Sequence, residues 1–136
     1  MIRLELDRTP ISVNSAYYFK RYGRRIIKIK NAKAKQFFMH VKEKAKELKV
    51  KPFDCPVEVD LTFYFKDRRR HDVDNYQKIM NDALTKVLWN DDTQIFKLTS
   101  RKYDGCGFVK TIIEVKPYGS KVVTEGIEME YIQTDE

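Results

Sequence analysis

The sequence predicts an α+β fold, a two-layer single domain in which two main helices pack on a mixed β-sheet. Three observations predict it. Apolar residues alternate with strand period in several short segments and recur with helical period in two longer ones. The segments run strand, hairpin, helix, strand, helix, strand, strand. The chain has 136 residues, 42% of them hydrophobic, which most simply form one domain around one core.

Ile2, Leu4 and Leu6 alternate with Arg3 and Glu5, the period of a half-buried strand that Pro10 stops. The next stretch, 10–17, is rich in turn formers. It reads as a connecting loop or, through Asn14, as a loop touching the backbone of a nucleic acid. Residues 17–30, YYFKRYGRRIIKIK, predict a hairpin with Gly23 at its tip. Its outward side carries Lys20, Arg21, Arg24, Arg25, Lys28 and Lys30, either as a solvated face or as a surface for DNA. Residues 32–48 predict a helix from the stripe Phe37, Phe38, Val41, Ala45 and Leu48, with lysines on the other side. Residues 57–65 alternate cleanly, with Val57, Val59, Leu61, Phe63 and Phe65 on one face, and predict a central strand. A second helical stripe, from Val73 to Leu88, predicts a helix over 74–88. Two strands follow, over 94–102 and 109–116, joined by the turn YDGCG. A domain over residues 1–116 is expected, followed by an acidic tail or short terminal element over 117–136.

Charge divides along the same boundary. Residues 1–116 hold 26 Lys and Arg against 15 Asp and Glu, giving +11, and residues 117–136 hold 1 against 5, giving −4. A basic surface of that size attracts polyanions, meaning nucleic acid or an anionic membrane. No apolar run approaches the roughly 20 residues of a spanning helix. The N-terminus has no apolar core of a signal peptide, so a cytoplasmic protein is expected. Cys55 and Cys106 lie far apart without zinc-ligand spacing and read as reduced thiols.

The densest chemistry lies in 67–78, DRRRHDVDNYQK, between the central strand and the second helix. Asp72 and Asp74 are two residues apart, and two adjacent carboxylates repel unless a cation sits between them. Mg²⁺ suits such hard oxygen ligands. Lys78, four residues after Asp74, falls on the same helix face, either to neutralise a phosphate or as a surface ion pair. Arg68, Arg69 and Arg70 carry planar forks that match phosphate oxygens. His71 reads as a phosphate contact, a proton carrier or an exposed side chain. A second acidic turn, Asp91 and Asp92, ends the same helix. A helix of about fifteen residues is roughly 22 Å long, so its two ends meet in one site only if the following loop folds back, the helix is shorter or bent, or a second subunit supplies the missing carboxylate.

The run 67–95, DRRRHDVDNYQKIMNDALTKVLWNDDTQI, resembles the signature of the RusA-type crossover-junction endodeoxyribonucleases, with a D-x-D-N-x-x-K core, a helical D-A-L and a D-D-x-Q turn. The early Pro10, Ser12, Asn14 and Tyr17 resemble that family more weakly. The resemblance implies a homodimer of small α+β subunits, encoded by a bacterium or phage. It implies that the dimer binds four-way (Holliday) DNA junctions and nicks two strands symmetrically with Mg²⁺ or Mn²⁺ and no small-molecule cofactor, in recombination and repair. It puts the acidic triad on Asp72, Asp74 and Asp92, with Asp91 as the less favoured ligand, and the catalytic lysine on Lys78. Arg68, Arg69, Arg70, His71, Asn14, Arg24 and Arg25 are the expected DNA contacts. His71 departs from the family, where a further arginine is expected. The alternatives are a structure-specific DNA-binding protein that does not cut, and a flap- or fork-type nuclease.

Overall fold

The computed structural model describes residues 1–119 in full, and residues 121–124 and 127–130 by their backbone. The main sheet has four strands in the order β1-β6-β4-β5. These are β1 (Ile2–Leu6), β4 (Val57–Tyr64), β5 (Ile95–Tyr103) and β6 (Lys110–Pro117). β4 lies inside the sheet, antiparallel to β6 and parallel to β5, so the sheet is mixed. Its alternation sends Val57, Val59, Leu61 and Phe63 inward to zero exposure, beneath the helices. The other face is a polar ladder, with Glu58 opposite Lys97 and Asp60 bound by Arg101 at 2.7 Å.

Helix α2 (Ala32–Glu47) starts where the Asn31 side chain accepts the Ala34 N–H at 2.9 Å, and it buries Ala34, Phe37, Val41 and Ala45. Leu48, expected on that stripe, caps the helix and is exposed. The predicted hairpin forms a separate two-stranded sheet of β2 (Tyr17–Tyr22) and β3 (Arg25–Lys30). Gly23, at φ +61, takes the first position of its two-residue turn, where a side chain is strained. A one-turn helix α1 (Val13–Ala16) precedes the hairpin where the sequence suggested a loop.

Helix α3 (Val73–Leu84) crosses from β4 to its parallel neighbour β5. It is shorter than the expected 74–88. The Thr85 N–H makes the last helical bond, to the Asn81 carbonyl at 3.0 Å, Lys86 takes φ +70, and Lys86 N–H donates to the Trp89 carbonyl. Leu88 and Trp89 still reach zero exposure, carried into the core by this turn rather than by another turn of helix. Strands β7 (Lys121–Thr124) and β8 (Ile127–Glu130) pair antiparallel, and the remainder of the expected tail lies outside the described residues.

Candidate active site at the two ends of α3

Asp72 is the N-cap residue of α3, with extended backbone, yet its side chain makes no capping bond. Ser, Thr, Asn and Asp usually accept a first-turn N–H from this position, so the carboxylate stays available to a ligand. Its recorded partner is Arg70 Nε at 3.4 Å, a long contact between exposed groups. Asp74 sits in the first turn, and Lys78 Nζ reaches its Oδ2 at 3.6 Å from one turn further on. Both side chains are more than half exposed. An exposed pair of this length contributes little to stability, so both groups can be drawn to a phosphate or a cation without much cost.

Arg69 and Arg70 extend into solvent ahead of the pair. Arg68 lies against Gly105, where an added Cβ would stand 2.9 Å from Arg68 Nε and where φ is +66. Three backbone bonds lace this arginine loop to the β5–β6 turn, from Gly105 N to Asp67 O, Cys106 N to Phe65 O and Gly107 N to Lys66 O. His71 completes the lacing. Its ring stacks on Phe65 with centroids 3.9 Å apart, its Nδ1 meets Asp104 Oδ1 at 3.0 Å, and Nε2 stands 3.6 Å from Asp67 Oδ1. Only 12% of its side chain is exposed, so the exposed reading of His71 gives way to an inward one. Lys102 and then His71 hold the Asp104 carboxyl below its ordinary range.

At the other end of α3, Asp92 is clasped. Its Oδ1 accepts the Thr85 hydroxyl at 2.5 Å and the buried Trp89 indole N–H at 3.3 Å. Asp91 has a different task, capping the 3-10 turn Asp92–Gln94 by accepting the Thr93 N–H, while Gln94 accepts the Asp91 N–H in return. That backbone bond lowers the Asp91 pKa. Gln94 also donates to the carbonyls of Phe53 and Cys55, fixing the turn to the chain before β4.

Asp92 opens onto a cleft of about 440 Å³ lined by Tyr17, Lys28, Lys30, Phe38, Asp82 and Thr85. The Tyr17 hydroxyl donates to Asp82 Oδ2 at 2.7 Å, tying the hairpin base to α3, and burial raises the Tyr17 pKa well above normal. Lys28 Nζ sits 4.1 Å over the Tyr17 ring and Lys30 Nζ 4.4 Å over the Phe38 ring. Asn14 lines an adjoining groove with Val13, Tyr17, Phe19 and Lys28. Arg24 and Arg25 are exposed at the hairpin tip.

One chain therefore brings together Asp72, Asp74, Lys78 and the arginines, and holds Asp92 elsewhere. The 12 residues of α3 rise about 18 Å between the two ends. The sheet agrees, since Val57 pairs with Ile95 at one end of β4 while Asp72 follows the other end, seven residues or roughly 23 Å away. Among the described residues no three His, Cys, Asp or Glu side chains converge as metal ligands. The loop after Leu88 packs on Phe53, whose N–H donates to the Leu88 carbonyl at 2.9 Å, rather than folding back toward Asp72. Sequence patterns missed the Tyr17–Asp82 bond, the Thr85 and Trp89 clasp and the inward His71. Each joins residues whose relation depends on tertiary packing.

The family described as endodeoxyribonuclease RusA matches residues 8–116. The chain belongs to the RusA family. Its curated relatives include proteins named crossover junction endodeoxyribonuclease RusA from Escherichia coli K12, Shigella sonnei strain Ss046 and Enterobacteria phage 82. Each is 49% identical over 41 residues, 29% of this chain and 34% of the relative, so the similarity spans about a third of those proteins. The mixed sheet with two main helices agrees with the α+β fold expected for a RusA-type protein. No helix among the described residues is long and apolar enough to cross a membrane.

Proposed function

We propose that this RusA-family chain is a metal-dependent endodeoxyribonuclease that binds four-way DNA junctions and resolves them by symmetric paired nicks, in recombination and repair. The observation that carries this reading is the uncommitted Asp72 carboxylate at the α3 N-cap. Asp74 and Lys78 stand beside it and three arginines ahead of it. These hard oxygen donors, free of strong internal partners, fit Mg²⁺ or Mn²⁺. A divalent ion held by Asp72, Asp74 and Asp92 would supply Lewis-acid polarisation of the phosphate and activation of water. Lys78 places positive charge where the phosphate oxygens gain negative charge. Arg68, Arg69 and Arg70 orient the strand through its backbone, and Arg24, Arg25 and Asn14 hold the flanking duplex. His71 acts through the loop it braces.

The 18 Å of α3 supports a reading in which Asp92 completes the site of a second chain. An isologous dimer places the Asp72 pair of each subunit beside the clasped Asp92 of its partner, and its twofold axis matches that of a four-way junction. Residues 1–116 form the endonuclease domain, and the acidic segment 117–136 lies outside it. Relatives from bacteria and a phage favour action in the cytoplasm of a bacterial host.

A labelled mobile four-way junction tests the reading, offered beside flap, linear duplex and hairpin RNA. Paired nicks are expected on the junction with Mg²⁺ and not with chelator. Preference for flap or RNA overturns it, and a junction bound but never nicked makes the chain a binding protein.

A further inference from the structure

Alternation in β4 sends Phe63 and Phe65 into the core and Tyr64 to the open face of the sheet, away from α2 and α3. Register sets Tyr64 beside Tyr103 of β5, and their rings stack with centroids 5.3 Å apart and 20° between planes. Phe108, from the turn before β6, stacks on Tyr64 at 5.5 Å and 30°. Tyr103 and Phe108 nevertheless remain 49% and 48% exposed. Three rings thus form a continuous apolar surface that the core does not use. The backbone bonds from Gly105, Cys106 and Gly107 to residues 65–67 make this surface and the arginine loop one rigid unit.

The rim of the surface is cationic. Lys110 is paired with Glu5, but Lys66 and Arg68 have no carboxylate partner among the described residues. Aromatic faces beside unpaired cations suit a nucleotide, the ring meeting a base and the cation its phosphate. A twofold-related copy of the same surface would instead bring Lys66 and Arg68 toward their own equivalents. Bases inside a duplex are already stacked, so the ligand that gains from this surface is one without a neighbour.

We propose that Tyr103 and Phe108, backed by Tyr64, form a stacking platform for an unpaired base next to the DNA backbone held by the arginine loop. This rests on the nuclease reading for its ligand and adds a base contact that the acidic site does not provide. A strand leaving the branch point lays a base on Phe108, and the fixed distance from the platform to Arg68 helps select where that strand enters the Asp72 site.

The test uses the full chain with chelator present, so that no cutting intervenes. Binding is followed to a linear duplex and to the same duplex carrying an unpaired 2-aminopurine at a branch. Wild type should quench the probe, and Phe108→Ala should weaken binding to the branched DNA roughly tenfold while leaving the duplex unchanged. Phe108→Trp should keep the quench and Phe108→Leu should lose it. Equal losses on both DNAs, a leucine variant that behaves as wild type, or a changed molecular mass of the alanine variant in light scattering overturns the platform. Failure of the nuclease reading is separate, because it shows as a wild-type chain that binds DNA but never nicks a junction in Mg²⁺. A chain that binds neither DNA removes both.

Discussion

At the N-terminal end of α3 the carboxylates of Asp72 and Asp74 lie open, with partners no closer than 3.4 and 3.6 Å. At its C-terminal end Asp92 is gripped by the hydroxyl of half-buried Thr85 and the indole N–H of Trp89, a core residue. The first arrangement leaves lone pairs free and the side chains exposed. The second fixes a carboxylate before any ligand arrives and occupies one of its oxygens. The proposed cation site, drawing on both ends, would gain one pre-set ligand and two that adapt. One chain keeps them a helix length apart.

The sharpest way to break this comparison is to mix subunits. Asp72→Asn and Asp92→Asn should each lose more activity than the 10- to 100-fold typical of an outer-sphere partner. Mixed and reannealed, the two variants should recover nicking of one strand, because one of the two shared sites in the mixed dimer carries all three native aspartates. No recovery from dimers purified through a different affinity tag on each variant, and so known to be mixed, would return the whole site to one chain. Lys78→Met should lower the nicking rate by about 10²-fold with junction affinity retained, as for a group that meets charge developing in the transition state. A loss confined to affinity would make Lys78 a DNA contact only.

At the clasped end the expected effects are smaller. Thr85→Val removes the hydroxyl that Asp92 and Trp89 share and should slow nicking about 10-fold, with a destabilisation of about 1–2 kcal/mol read from urea unfolding. If the rate is unchanged, the clasp is structural alone. Smallest is the acid limb of stability. The Asp91 pKa lies below its ordinary 3.8 when folded, so its cap stabilises the fold above that value and the contribution disappears as pH falls through the lower folded one. Asp91→Asn keeps a capping side chain without the charge and should flatten thermal melts recorded downward from about pH 5. An unaltered slope would show that the cap does not couple to protonation.

These contrasts explain what the sequence could disclose. Alternation from Val57 to Phe65, the glycine at the hairpin tip and the apolar stripe of α2 are local patterns, and each matches its element. The end of α3 was hidden because Val87 and Leu88 continue helical spacing although they enter the core from a turn. The residue taking positive φ there is Lys86, not a glycine that would have marked the break. The Asp72, Asp74 and Lys78 cluster was legible because it falls within seven residues, with Lys78 one helical turn after Asp74. Tyr17 and Asp82 are 65 positions apart, and Tyr64 finds Tyr103 only through a parallel register that no local pattern encodes. His71 looked like one more member of a charged run, since Phe65, Asp67 and Asp104 enclose it only after folding.

Position 105 illustrates how function can be lost without touching a charged group. With φ +66 and Arg68 already where a methyl would go, even alanine there must displace the guanidinium or reshape the turn beneath it. A random screen for chains that fold yet no longer grip nucleic acid should accordingly recover changes at this small neutral residue alongside those in the arginines themselves.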